Sequence, residues 1–419
     1  MLRVLALLIL LTSSLSAAEV VEITGQTMGT TYSVKWVETD NVAAEDLKAA
    51  VDERLVAINR MMSTYDPESE LSRFNTSNTT DWFDVSPQTA TVVAKALEVA
   101  RLSDGAFDPT VGRLVRMWSF GSGDRSYAPP PDEELQTALE HVGYRKIEVR
   151  TDPPALRKTD PQAELDLSAI AKGFGVDAVS GLLTDRGLIN HLVEIGGEVR
   201  AQGTKNGQAW RLGIERPTQQ RSGLAATVAL HDQSLATSGD YRNFFVRDGR
   251  RYSHTIDPRT GRPVEHSLAS VSIVTDDCMS ADAWATTLMV LGPEKGLQLA
   301  DQQKLAAYLL IHEGQEIGER ASLAGATIFD GPAGAVADVG PGPGTMVLMT
   351  ILVFGLAMAG LAIGVILSNR RLQGSCGGLS GMRDDQGRPM CGSCSIPPEQ
   401  CDEFRKSVTQ SGTAPATDD

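Results

Sequence analysis

His254 opens a run of turn residues, Ser253–Pro263 (SHTIDPRTGRP). An imidazole beside a rigid, solvent-facing turn is placed to accept a proton at the rim of a cleft. Asp282 and Thr286 stand four residues apart in SADAWATTLMV, so on a helix they share one face. They are hard oxygen donors of the kind that Mg²⁺ or Ca²⁺ takes, with water or substrate phosphate completing the shell. Lys172 lies one turn into a segment that opens at Ser168 (SAIAKG), where free backbone amides and a cation together suit a phosphate. Alone, each has an ordinary reading: a hairpin histidine, an amphipathic helix with a polar stripe, a capped helix with a solvated lysine. Together they describe metal-assisted cleavage of a phosphoryl or pyrophosphate bond. The sequence carries no Walker loop, Rossmann fingerprint or nucleophile elbow, which sets aside the common nucleotide enzymes in their usual form.

Something must hold these side chains together, and hydrophobic periodicity predicts what. Val20–Glu38 reads as two strands around the MGTT of Met28–Thr31, and Ala43–Met62 as a helix with Leu47, Val51, Leu55 and Ile58 on one face. Further helices are predicted over Thr89–Leu102 and Asp132–His141, and a short strand over Arg145–Arg150. Glu164–Leu167 reads as a strand leading into a helix capped by Ser168, which runs through Leu183 and stops at Gly187. From Asn190 to about Asp277 the pattern is β, in runs separated by Gly, Pro and Asp turns. Helices over Met279–Leu291 and Lys295–Leu305 and a strand over Ala306–His312 follow. The expected class is α+β: a mixed, largely antiparallel sheet with flanking helices.

At 419 residues with a formal net charge of −15, the chain has the composition of a globular protein. Its field would repel nucleic acid and anionic membrane surfaces. Residues 1–18 have the layout of a secretory signal: Arg3, an apolar run from Val4 to Leu11, then small residues to Ala18. Met346–Leu367 holds no charge over about the length a bilayer requires, and Arg370 and Arg371 follow it. The expectation is a single transmembrane helix in the inner (cytoplasmic) membrane, joined by a Gly/Pro linker over 329–345 to a periplasmic domain over 19–328. A cytoplasmic tail then covers 368–419. Cys278 is alone in the exported part, whereas Cys376, Cys391, Cys394 and Cys401 crowd the tail. In a reducing compartment that favours a metal or iron–sulfur site, Fe or Zn, over disulfides.

Eight stretches in order carry a family resemblance: MGTTYS (Met28–Ser33), STYDPESELSRFN (Ser63–Asn75), DGAFDPTVGRLVRMWSFG (Asp104–Gly121), LDLSAIAKGFGVD (Leu165–Asp177), EIGGEVR (Glu194–Arg200), SLATSGDYRNFF (Ser234–Phe245), SHTIDPRTGRPV (Ser253–Val264) and SADAWATTLMVLG (Ser280–Gly292). They resemble the motifs of the ApbE family of FAD:protein FMN transferases. That resemblance implies the ApbE-like fold and transfer of the FMN half of FAD onto a threonine or serine hydroxyl of an acceptor protein, with AMP released and Mg²⁺ required. It further implies Mg²⁺ on Ala169, Asp282 and Thr286, with His254 as the base for the incoming hydroxyl. The FAD site it implies is formed by Met28, Tyr65, Ala106, Phe107, Asp108, Asp166, Lys172 and Ile256. Ala285 stands where some members have a second acid, which shifts the ligand set toward backbone oxygen or water.

With the span before it, the tail resembles the small membrane protein that matures the sodium-pumping NADH:quinone oxidoreductase (NqrM-like), with its four cysteines as iron ligands. The pairing implies that subunits of that respiratory complex are the flavinylated acceptors. The same residues leave two alternatives: a membrane-anchored flavin-binding or metal-carrier protein without transferase activity, and an FAD pyrophosphatase.

Overall fold

The computed structural model describes residues 19–331 apart from 40–41, 122–125, 218–222, 241–242 and 315. The expected signal segment, the span over 346–367, nearly all of the linker and the four tail cysteines lie outside the described residues.

An eight-stranded sheet, antiparallel throughout, forms the frame. Its strands in spatial order are Val20–Thr27, Thr30–Val37, His191–Ile195, Glu198–Gln202, Gln233–Gly239, Leu268–Thr275, Ala306–Glu313 and Glu316–Ala321. The first two turn back through Met28 and Gly29, both at positive φ (49° and 73°). This is the two-residue hairpin geometry whose twist matches that of the strands it joins. Smaller sheets sit beside the frame, among them the hairpin Phe244–Arg247/Arg250–Ser253 that ends next to His254.

Two helices pack against the frame and against each other: Ala171–Asp185, which carries Lys172, and Cys278–Gln302, which carries Asp282 and Thr286. The latter breaks at Gly292 (φ 78°) before Pro293, as the separate helical patterns on either side predict. Its first half is lined with small residues, and Ala281, Ala283 and Ala285 are buried in the main core. Ala285 therefore packs in apolar surroundings.

Two local expectations fail for one reason. Leu165–Leu167 pairs with no strand, because side chains and a loop take its backbone groups: Asn75 Nδ2 donates to Leu165 O at 2.8 Å, Leu165 N donates to Asn75 Oδ1 at 2.8 Å, and Asp166 N donates to Pro109 O at 2.7 Å. Ser168 does not cap the helix either. Its amide donates to Asp166 Oδ1 at 2.8 Å in a turn, and the helix begins at Ala171. A strand-like run was thus clamped by one asparagine from the short helix Glu70–Thr76, for which no helical period was legible.

Candidate active site

His254 follows the Phe244–Ser253 hairpin directly, and its position is set from both sides. Its amide and its Nδ1 both donate to Asn243 O, at 3.1 and 2.9 Å. The turn after it is pinned by Trp118, whose Nε1 donates to Gly261 O at 2.7 Å. A carbonyl can only accept, so Nδ1 carries the proton and Nε2 keeps its lone pair. Burial lowers the imidazole's proton affinity below its ordinary value. The hydrogen bond to Asn243 O pulls the other way, the Lys172 charge adds to the lowering, and Asp240 opposes it least. A neutral ring with a free Nε2 is what a general base requires.

The second group is built where the two helices cross. Gly173 is the third residue of its helix, where a backbone amide has no acceptor within the helix. Here it donates to Asp282 Oδ2 at 3.0 Å, which fixes the carboxylate. Asp282 Oδ1 lies 3.9 Å from Lys172 Nζ, and Thr286 Oγ1, one turn further on, is 3.4 Å from Ser238 Oγ. Lys172 Nζ makes its close contact with Glu198 Oε1 at 2.5 Å. One half-buried lysine is thus shared by two buried carboxyl groups. Burial works against the lysine's charge, but the fields of Asp282 and Glu198 overcome it and hold the ammonium well above the ordinary range. Burial pushes both carboxyls upward, Glu198 to about 7.

These residues fit a hard divalent cation. Asp282 and Thr286, hard oxygen donors, share a face with Ala169 beside them in the same cavity. Among the described residues no three His, Cys, Asp or Glu side chains cluster as ligands. A cation here would rest on one carboxylate, a hydroxyl and neutral oxygens, and Mg²⁺ bound beside phosphates commonly does so.

All these groups line one cavity of about 340 Å³, together with Tyr65, Asp166, Ala169 and Ile256. A second hollow of about 530 Å³ shares Thr64, Tyr65, Ser168 and Lys172 with it and adds Met28, Ile58 and Met62. Tyr65, 66% exposed, stands at the junction. A third, of about 590 Å³, is lined by Arg113, Arg116 and Glu164. It contains none of His254, Lys172 and Asp282, so volume does not pick out the chemistry. Ala106, Phe107 and Asp108 are buried and line none of these three cavities. Asp108 accepts from Thr110 Oγ1 at 2.6 Å, Thr110 N at 2.8 Å and Tyr144 N at 2.7 Å, which fixes the loop before Val111 and Val115 in the cavity wall.

The profile of the ApbE family matches residues 28–309. The chain belongs to the ApbE family. An FAD:protein FMN transferase of Vibrio cholerae is 41% identical over 320 residues, which make up 76% of this chain and 95% of that protein. One of Haemophilus influenzae is 40% identical over 300 residues, 70% and 87% of the two chains. Among solved structures, the flavin transferase ApbE from Vibrio cholerae superposes with a TM-score of 0.69 at 40% identity, covering 74% of this chain and 99% of that one. The apo flavinyl transferase ApbE of Pseudomonas stutzeri gives 0.68 at 37%, covering 74% and 97%. The profile described as (Na⁺)-NQR maturation NqrM matches residues 365–413, beyond the ApbE fold.

Within the ApbE fold, two contributors were not picked out by sequence reading. Asn243 acts through its backbone carbonyl and leaves no signal in side-chain type. Glu198 had one: a Gly-Gly turn followed by an acid at the head of a strand whose next residue, Val199, is also buried. A buried acid in such a place calls for a partner.

Proposed function

We propose that this chain transfers the FMN half of FAD onto a threonine or serine hydroxyl of an acceptor protein and releases AMP. The bond broken runs from the FMN phosphorus to the bridging oxygen of the diphosphate, and the bond formed runs from that phosphorus to the acceptor oxygen. The hydroxyl proton passes to Nε2 of His254, and AMP departs with the bridging oxygen. Lys172 faces the charge that grows on the leaving phosphate. Tyr65 stacks on a flat ring of the dinucleotide, with Met28, Asp166 and Ile256 completing the FAD site and the buried Ala106–Asp108 loop backing its wall at Val111 and Val115. Asp282, Thr286 and the Ala169 carbonyl would hold Mg²⁺, and when bound the ion neutralises diphosphate oxygens.

The observation that carries this reading is a histidine with its Nδ1 committed to Asn243 O at 2.9 Å, in the same cavity as Lys172, Asp282 and Thr286. The test incubates the full chain with FAD, Mg²⁺ and an unmodified threonine-bearing subunit of the sodium-pumping NADH:quinone oxidoreductase. A mass gain of one FMN on that subunit supports transfer. Release of free FMN instead indicates a pyrophosphatase, and unchanged FAD a binding protein. Chelation with EDTA is expected to stop wild-type transfer and added Mg²⁺ to restore it. Asp282→Ala is expected to lose transfer by ~10²-fold or more without recovery at millimolar Mg²⁺, since a metal supplies several kcal/mol of charge stabilisation.

In this reading residues 1–18 export the chain, 346–367 anchor it in the inner membrane, and the transferase unit works in the periplasm. The cytoplasmic tail carries Cys376, Cys391, Cys394 and Cys401 as ligands for iron. The NqrM match over residues 365–413, which spans all four, supports a role in maturing the same respiratory complex that is flavinylated. Deleting 368–419 is then expected to lower the iron content of that complex while its subunits still gain FMN; unchanged iron would sink the dual role.

A further inference from the structure

Glu198 takes no part in the proposed transfer step, yet its carboxylate is buried against Lys172 in the same cavity. It heads the strand Glu198–Gln202 and is 3% exposed. Oε1 lies 2.5 Å from Lys172 Nζ, and Oε2 is buried with no hydrogen-bond partner. A half-satisfied buried carboxylate is costly, and natural proteins keep few of them without a reason. The reason lies in what Lys172 would do in its absence. The ammonium stands 3.9 Å from Asp282 Oδ1, beyond hydrogen-bond range. Its flexible four-carbon stem could close that gap with a small change of rotamer. Once closed, the contact would put a positive charge on the carboxylate oxygen that the cation needs.

We propose that Glu198 is a positioning residue that holds Lys172 away from Asp282, keeping Asp282 Oδ1 open to a divalent cation while leaving the ammonium beside the diphosphate. The inference rests on the reading of Asp282 and Thr286 as cation ligands. Glu198 acts through Lys172 and is not itself a ligand, which separates it from the other explanation for an unpartnered oxygen in this cavity. In the absence of the cation, Lys172 is the counter-charge of both acids. When the cation binds, Glu198 keeps the lysine from being expelled from the site.

The test measures Mg²⁺ affinity directly, by calorimetric titration of the full-length protein in detergent without FAD. Asp282→Ala sets the background. Glu198→Gln keeps the shape of the side chain and is expected to weaken Mg²⁺ binding by about tenfold or more, equivalent to about 1.4 kcal/mol. The double variant Lys172→Met/Glu198→Gln removes the competitor along with its keeper and is expected to return to within about threefold of wild type. A double variant as weak as Glu198→Gln would make Glu198 a direct ligand and overturn the proposal, as would a single variant with unchanged affinity. If Asp282→Ala binds Mg²⁺ like wild type, the cation reading itself fails and the proposal falls with it. If Asp282→Ala loses binding while Glu198→Gln does not, only the role of Glu198 is lost. Thermal denaturation of each variant, with the melting temperature within a few degrees of wild type, establishes that the affinities compare folded proteins.

Discussion

Replacing His254 with alanine is expected to lower the rate of FMN transfer by ~10²–10⁴-fold, the range that a positioned general base contributes. The imidazole is the group in the cavity whose lone pair is left free by geometry, since Asn243 O takes the Nδ1 proton at 2.9 Å. The pH profile separates this role from a purely structural one. A base works when neutral, and burial lowers the His254 proton affinity below the ordinary value of 6.5; the hydrogen bond to Asn243 O pulls the other way, Lys172 adds to the lowering, and Asp240 opposes it least. Lowering the pH through 7 protonates Glu198, so the limb that belongs to His254 is the one below pH 6.5. A limb below 6.5 that survives in His254→Ala, or a variant whose turnover is within a few-fold of wild type, would remove His254 from the proton transfer. His254→Ala should also lose the acid limb itself, so its residual rate becomes insensitive to pH in that range.

Much of the site was legible because its spacing is local. Asp282 and Thr286 are four residues apart on a helix, and the helical period puts them on one face whatever the rest of the fold does. His254 was legible for a similar reason: the Asp-Pro and Thr-Gly pairs after it form a turn by their own chemistry, with Asp257 Oδ1 accepting from Arg259 N at 2.9 Å. The antiparallel frame followed from β-branched runs cut by glycine and proline. The rest depends on partners far away in sequence. Leu165–Leu167 has strand composition, and Asn75, ninety positions earlier, together with the Pro109 carbonyl takes the backbone groups a sheet would use. Glu198 pairs with Ile195 across a hairpin, and that register, not its own neighbourhood, brings it beside Lys172. The Ala106–Asp108 segment is a family signature, yet its buried carboxylate spends its hydrogen bonds on Thr110 and Tyr144. A motif can mark a family while its side chains serve to hold a loop behind the cavity wall.

Gly173→Ala is expected to damage stability and activity together, because this glycine is where the fold and the site meet. A Cβ built there would stand 2.3 Å from Cys278 O, 2.7 Å from Cys278 C and 2.8 Å from Met279 Cα. All three are backbone atoms at the start of the Asp282 helix, so no side chain can swing aside and the two helices must part. Forcing a methyl group into such packing costs about 1–3 kcal/mol. The parting also lengthens the 3.0 Å bond from the Gly173 amide to Asp282 Oδ2, which aims the carboxylate. It loosens the two amides at Cys278 and Met279 that donate to Asp177 at 2.9 and 2.8 Å as well. Since a misplacement of about 1 Å in an active site can cost ~10²-fold in rate, transfer should fall by that order even at temperatures where the variant is folded. Chemical denaturation and single-turnover transfer, measured on the same preparation, check both halves. A variant that melts with wild type and transfers FMN at the wild-type rate would show that the helices have slack at their crossing and that Asp282 is aimed by something other than Gly173.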